Sequence, residues 1–333
     1  MAAPSTVLSH PAGLVRDRSS LFHSFLADQP EYLVPERLIA SDGDSKSAGP
    51  LVVSTNVWFT WRDHLPPCVQ ACYPMPDKFL ANTGLIWVDD PVSRVQRPFW
   101  VGPWFQEKLA RLERGRPAAG LSSHHCQVLF QAGVLTRSGE SGRLTGERRV
   151  NFKTAADKFE AEGYTCLHEL IHPFHLGSLR RYYRHLVRTG GMSLGDNSSP
   201  LRYVAYNESV AQFFHLQLTT VVSEVAGTRV KPSFVYVVAY QGNADLPVHT
   251  DRQQCEYAVS LLVDYTPEPF DQSSWPLYFE TAKGTCCVWQ ALGDAVLYRG
   301  RSLPHFRKQL SATSTSTSIL FYYVNHDFSG SLA

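Results

Sequence analysis

The feature that most constrains this chain is a change of character after residue 230. Six short apolar segments follow one another, rich in β-branched and aromatic residues: Phe234 to Tyr240, Ala258 to Tyr265, Pro276 to Glu280, Thr285 to Trp289, Ala295 to Tyr298 and Ser318 to Val324. Gly, Pro and polar turns divide them, the pattern of closely spaced strands. Two helical stretches come before. One starts at Pro173, with Leu176, Leu179, Tyr183 and Leu186 three or four residues apart. The other has Asn207 as its expected N-cap, then Val210, Phe214, Leu218, Val221, Val222 and Val225, and closes at Gly227. A further strand is expected from Tyr164 to Ile171. Helices followed by six to eight strands predict an α+β fold in which helices back a β-sandwich or barrel.

The first half is less legible. Residues 41–50 and Arg137 to Arg149 read as polar loops without an apolar period, which sets a boundary near residue 155. Residues 1–155 are taken as an N-terminal extension or subdomain with no chemical motif, and residues 156–333 as the main domain. Trp58, Trp61, Trp87, Trp100 and Trp104 fall in the first part, and His124-His125-Cys126 have no partners at metal spacing.

Formal net charge is +1 with both signs dispersed, so a nucleic-acid partner is not expected. Seven scattered cysteines without a C-x-x-C pair suit a reducing compartment rather than a disulfide framework. No apolar run is long enough for a signal peptide or a membrane span, and a soluble cytoplasmic protein without a membrane partner is expected. The sequence does not set an oligomeric state.

Two motifs compete for the chemistry. His168 to His172 reads HELIH, and H-E-x-x-H on a helix places two imidazoles on one zinc ion with glutamate as the base of a peptidase. Pro173 follows at once. Proline disfavours helix in the residue before it and suits the first turn of a new helix, so the motif straddles a boundary. An extended zinc motif would need glycine at position 175 and histidine at 178, where His175 and Ser178 stand; the next acid, Glu208, opens another helix. With thirteen histidines in the chain, a chance match is the simpler reading.

The second motif is His249-Thr250-Asp251. In an extended chain, residues i and i+2 share a face, so an imidazole and a carboxylate reach one metal ion. A distant histidine would complete the facial arrangement of two histidines and one carboxylate that suits non-haem Fe(II). His305, 54 positions after Asp251, is the best candidate.

The order YQGNADLPVHTDR, EYAVSLLVDY, WPLYFE, GDAVLYRG and LPHF resembles the core of the Fe(II)/2-oxoglutarate-dependent oxygenases over roughly residues 160–326. EGYTCLHELIHP resembles the strand that leads into that core, which accounts for HELIH without zinc. The resemblance implies a double-stranded β-helix (jelly-roll) core and His249, Asp251 and His305 as iron ligands. It also implies 2-oxoglutarate and O2 as co-substrates. The expected reaction is oxidation of a C–H bond in a small molecule, such as an amino acid or a secondary-metabolite intermediate. Hydroxylation, desaturation and oxidative C–N ring closure such as aziridine formation are its expected outcomes. A catalytically inactive β-helix binding protein and the zinc peptidase are the alternatives.

One position departs from the family's pattern. A basic residue about ten to fifteen positions after the second histidine usually holds the distal carboxylate of 2-oxoglutarate, as a charged fork. Here that window holds Thr315, Ser316, Thr317 and Ser318. Arg307, which shares strand parity with His305, is the first choice for the anchor and Arg301 the second, with Arg252 and Arg299 behind them. Ser316, Ser318 and Tyr240 are expected beside the co-substrate. Tyr236, Ile319, Phe321 and Arg202 are expected at the substrate pocket, with packing as the ordinary role of the aromatic residues and Arg202 placed in a loop.

Overall fold

The computed structural model describes residues 50–61, 84–89, 96–101, 108, 111–122, 125–126, 129–130, 134–137, 141–168, 170 and 173–332. Most of the polar stretch 41–50, Trp104, His124, Glu169 and His172 lie outside them. Short strands β1 (Leu51–Val53), β2 (Val57–Trp61), β3 (Gly84–Asp89), β4 (Gln96–Val101) and β5 (Leu135–Arg137) form two small sheets, β1 with β5 and β2-β3-β4. Val53, Val57, Ile86 and Leu135 belong to the same buried apolar cluster as the helices and strands that follow.

Helix α1 (Ser141–Glu162) corrects the loop expected up to Arg149, and the boundary near residue 155 falls inside it. Its first turns carry no apolar period to read. Ala155 and Phe159 of this helix are buried. Strand β6 (Tyr164–Leu167) stops before the HELIH histidines, and α2 (Pro173–Arg188) starts at the proline, as its fixed φ and missing amide favour. The fully buried Arg180 donates to Asp264 (2.9 Å) and Glu268 (2.7 Å).

After β7 (Ser193–Leu194), β8 (Arg202–Tyr206) replaces the expected loop. In α3 (Ser209–Ala226) the cap is Glu208 rather than Asn207. Its buried carboxylate accepts from the amides of Val210 (3.1 Å) and Ala211 (3.0 Å) and from the hydroxyls of Tyr182 (2.8 Å) and Tyr183 (3.0 Å). So Glu208 is fully engaged in holding the helix start and is no metal ligand. Gly227, at φ 68°, ends α3 in the left-handed conformation expected of it. No helix among the described residues is long and apolar enough to cross a membrane.

The strands that follow are β9 (Val230–Tyr240), β10 (Leu246–His249), β11 (Tyr257–Thr266), β12 (Leu277–Thr281), β13 (Gly284–Val288), β14 (Ala295–Tyr298), β15 (His305–Arg307) and β16 (Thr315–Asn325). They form two antiparallel sheets, β6-β14-β11-β16-β9-β8-β7 and β10-β15-β12-β13. Apart from the hairpin pair β12–β13, the chain crosses between the sheets at each step from β9 to β16. This interleaved order is that of a jelly roll, or double-stranded β-helix.

One face of the larger sheet packs on the helices and the other faces the smaller sheet. Val235, Val237, Val259, Leu261, Ile319 and Phe321 serve the helix side. Phe234, Ala258, Val296, Tyr298 and Tyr322 meet Leu277 and Phe279 between the sheets.

His215 of α3 ties the helix layer to this sheet. Its Nε2–H donates to the carbonyl of Tyr322 (2.8 Å), and its ring packs on Tyr323 (centroids 4.6 Å apart). Burial pushes the imidazole down to about 4 from an ordinary 6.5. A histidine held neutral in the fold but protonated when unfolded contributes its stability above pH 6.5 and loses it as pH falls toward 4. The expected loss is ~3 kcal/mol across that window. Urea unfolding at pH 7 and pH 4.5 checks this: His215→Gln should lose less stability on acidification than the native chain.

Candidate metal centre

The centre is built from the smaller sheet. Strands β10 and β15 pair so that His249 lies directly opposite His305, and Asp251 follows His249 by two residues. The two imidazole rings lie 4.3 Å apart between centroids. Nε2 of His249 is 3.8 Å from one carboxylate oxygen of Asp251, and Nε2 of His305 is 3.8 Å from the other. Each Nδ1 faces a backbone carbonyl, Pro247 for His249 (2.9 Å) and Leu303 for His305 (3.0 Å). A carbonyl only accepts, so Nδ1 carries the hydrogen and Nε2 presents its lone pair toward the carboxylate. This outer hydrogen bond is the usual way a ligand histidine is oriented.

Electrostatics agree with the geometry. Oδ2 of Asp251 is buried with no hydrogen-bond partner. Burial pushes the Asp251 carboxyl up to about 7, against the charge of Arg252, and pushes His305 down to about 4, aided by His249. An orphaned buried carboxylate oxygen beside two neutral imidazoles fits a divalent cation, which would supply the missing partner to all three.

Gly300 makes room for this arrangement. Its carbonyl accepts from the Asp251 amide (2.9 Å), and a Cβ there would lie 2.4 Å from Oδ2 of Asp251 and 2.5 Å from the carbonyl of Cys255.

The triad opens into a cavity of about 460 Å³ between the sheets, within the range of small-molecule sites. Arg307 lines it from β15, buried, with its guanidinium over the Trp275 ring (4.7 Å). It donates to the carbonyl of Trp275 and to Oε1 of Gln290 (2.9 Å). It has no carboxylate partner among the described residues, and burial pushes it down to about 10.

Tyr236, Tyr240, Ser318 and Arg202 also line the cavity. Arg202 lies on β8 rather than in a loop and is committed elsewhere. It pairs with Asp196 (2.6 Å) and donates to the Tyr240 hydroxyl (2.6 Å).

Three expected site residues do not reach the cavity as read, and a fourth, Arg301, is misplaced too. Ser316 is buried with an unpartnered hydroxyl, outside the lining. Arg301 lies exposed on the turn before β15, so the second choice of anchor points to solvent. Ile319 and Phe321 face the helices. In an antiparallel pair, opposite residues share a face, and Ser318 and Leu320 lie opposite Val238 and Tyr236. The even-numbered Leu320 and Tyr322 therefore line the cavity in their place. Asp196, Tyr206 and Phe234 also line it without having been read from the sequence.

The HELIH segment behaves differently. His168 stands in a turn with its side chain 71% exposed, 3.2 Å from the Asp294 carboxylate and 4.0 Å from the Cys166 sulfur. These three side chains are close enough to hold an ion. Asp294 already accepts from the amide of Ala291 (3.0 Å), and burial pushes the Cys166 thiol up to about 12. Since α2 begins at Pro173, no single helix carries His168. His168→Ala is expected to leave metal content and turnover unchanged, by elemental analysis and steady-state assay. Stoichiometric zinc lost on this substitution would restore the peptidase reading.

No known protein-family profile matches this chain, and no curated protein does. Among solved structures, a Pseudomonas putida prolyl-4-hydroxylase is 13% identical with a TM-score of 0.44, over 53% of this chain and 99% of that one. An oxidoreductase of the 2OG-Fe(II) oxygenase family from Burkholderia pseudomallei is 12% identical with a TM-score of 0.41, over 53% and 91%. HygX from Streptomyces hygroscopicus, with nickel, 2-oxoglutarate and hygromycin B bound, is 12% identical with a TM-score of 0.41, over 51% and 86%. The Burkholderia structure is thus described as a 2OG-Fe(II) oxygenase, and the HygX structure holds a metal ion with 2-oxoglutarate.

Proposed function

We propose that this chain is an Fe(II)- and 2-oxoglutarate-dependent oxidoreductase that oxidises a C–H bond of a small molecule. The observation that carries this reading is the buried carboxylate oxygen of Asp251, left without a partner between two imidazoles whose Nε2 lone pairs face it. His249, Asp251 and His305 would hold the iron. Bound there with 2-oxoglutarate, Fe(II) supplies O2 activation, with the keto acid oxidised to succinate and CO2 as the substrate C–H bond is oxidised.

The chain's own residues account for the rest. Arg307 is a buried cation without a carboxylate partner among the described residues, so it receives the distal carboxylate of the co-substrate as a charged fork. Ser318 and the Tyr240 hydroxyl lie in the same cavity to hydrogen-bond that group. The aromatic walls exclude water, and their packing holds the reacting C–H bond near the metal.

Hydroxylation is the outcome we favour, because it needs no second functional group on the substrate. Desaturation and oxidative C–N ring closure are the other two. Anaerobic loading with Fe(II), followed by O2 and 2-oxoglutarate across a panel of small acids and amines, tests the reading. Succinate formed in step with substrate consumed supports it, and product mass separates gain of oxygen from loss of hydrogens. Iron-loaded protein that consumes no 2-oxoglutarate with any member would favour a binding protein instead.

A further inference from the structure

Five charged side chains line the cavity among the described residues: Asp196, Asp251, Arg202, Arg252 and Arg307. Asp196 and Arg202 neutralise each other through a pair of hydrogen-bonded contacts (2.6 and 3.0 Å). Asp251 belongs to the metal centre and Arg307 faces the co-substrate. A divalent metal and a dicarboxylate cancel each other's charge. The three arginines then exceed the two aspartates by one positive charge, and among the described residues Arg252 is the one left without a hydrogen-bonded carboxylate or a place in the co-substrate site.

Arg252 follows Asp251 directly, is exposed, and lines the cavity. Its guanidinium lies 4.3 Å from the ring centroid of Phe234 and also contacts the Cys255 thiol, and it makes no ion pair with a carboxylate among the described residues. Phe234 stacks on Tyr206 (5.2 Å) and meets Tyr322 (4.6 Å), and all three line the cavity beside this cation, Phe234 and Tyr322 largely buried. Tyr206 is 46% exposed although it lines the cavity.

We propose that Arg252 and the Tyr206–Phe234–Tyr322 surface form the substrate site, and that the substrate is an organic monoanion: a carboxylic acid with an aromatic or flat apolar body. This rests on the oxygenase reading for the charge left over. The carboxylate takes the fork of Arg252, and the body lies against the aromatic rings.

A free amino acid fits less well. Its ammonium group would need an acceptor, and the one acid at the rim is filled. Asp196 accepts from the amides of Ser198 and Ser199 (2.9 Å each), from Arg202 and from the Tyr236 hydroxyl (2.7 Å). These contacts hold its carboxyl at about 2 despite burial.

Titration calorimetry on the full chain, loaded with Fe(II) and 2-oxoglutarate under argon so that Arg307 is occupied, tests the site with 3-phenylpropanoate. 3-Phenylpropanamide is the neutral isostere and L-phenylalanine the zwitterion. The acid should bind at least about tenfold more tightly than either, as expected for a hydrogen-bonded charge pair. Arg252→Gln should erase that preference, and Arg252→Lys should restore part of it. Equal binding of acid and amide, unchanged acid binding in Arg252→Gln, or no binding of any of the three overturns the proposal. The two readings fail separately. A chain that retains no 2-oxoglutarate yet still prefers the acid through Arg252 loses the oxygenase function and keeps the anion site. A chain that turns over 2-oxoglutarate but shows no acid preference loses only the anion site.

Discussion

Replacing His249, Asp251 or His305 singly by alanine is expected to abolish stoichiometric metal binding and all metal-dependent turnover while the fold persists. Each residue supplies one donor atom to a group of three, among the described residues, whose donor atoms all lie within 4.8 Å of one another. Even the outer hydrogen-bond partners of metal ligands are worth about 10–100-fold in affinity, and a ligand is worth more. Asp251→Ala also removes a carboxylate whose burial raises its pKa to about 7, so the metal-free variant should melt no lower than the metal-free native chain. The measurements are metal content after dialysis and thermal melting with and without added Mn(II). Full metal retention in any one of the three variants would remove that residue from the centre. A melting temperature that metal raises in the native chain but not in the variants is the expected companion result.

Arg307→Ala is expected to weaken apparent 2-oxoglutarate affinity by roughly thirty-fold or more. Losing one partner of a buried charge pair costs on the order of 2–5 kcal/mol, because the other charge stays buried and unpaired, and 1.4 kcal/mol is tenfold. Arg307→Lys keeps the charge but not the fork, and should recover only part of the loss. Arg307 also serves the carbonyl of Trp275 and the Gln290 amide oxygen, so the alanine variant is expected to lose stability as well. For that reason the readout is the KM for 2-oxoglutarate at fixed iron, with the melting temperature as control. Metal affinity measured without the keto acid should barely change. Near-normal 2-oxoglutarate dependence in Arg307→Ala would refute the assignment. Arg301, the second choice from the sequence, is exposed and would not take its place.

Much of the architecture was readable along the chain because it rests on local periodicity. The six segments between residues 234 and 324 are all strands. Gly227 ends α3 because a left-handed residue is needed there, and Pro173 starts α2 because proline tolerates the first turn. His249 and Asp251 were readable as a pair because residues two apart share a face in extended chain. Helix α1 was not, since the sequence of its first turns is polar and carries no apolar period. Strands β10 and β15 were too short to stand out, four and three residues against the eleven of β16.

What the sequence by itself determined is therefore the list of ingredients: two well-marked helices, a run of strands, an H-x-D pair, a distant histidine and an arginine of matching parity. Only the tertiary structure decided how they meet. The pairing of β10 with β15 sets His249 against His305, across more than fifty residues of chain. The register of β16 on β9 turns Leu320 and Tyr322 into the cavity and sends Ile319 and Phe321 to the helices. The contact of Arg202 with Asp196 joins β8 to the loop before it at the cavity wall, six residues apart in sequence. The reason is physical. Side-chain alternation along a strand is a local property written in the sequence, whereas the face each parity takes depends on hydrogen bonds to a partner strand that local pattern does not specify. A shift of one residue exchanges every inward side chain for an outward one.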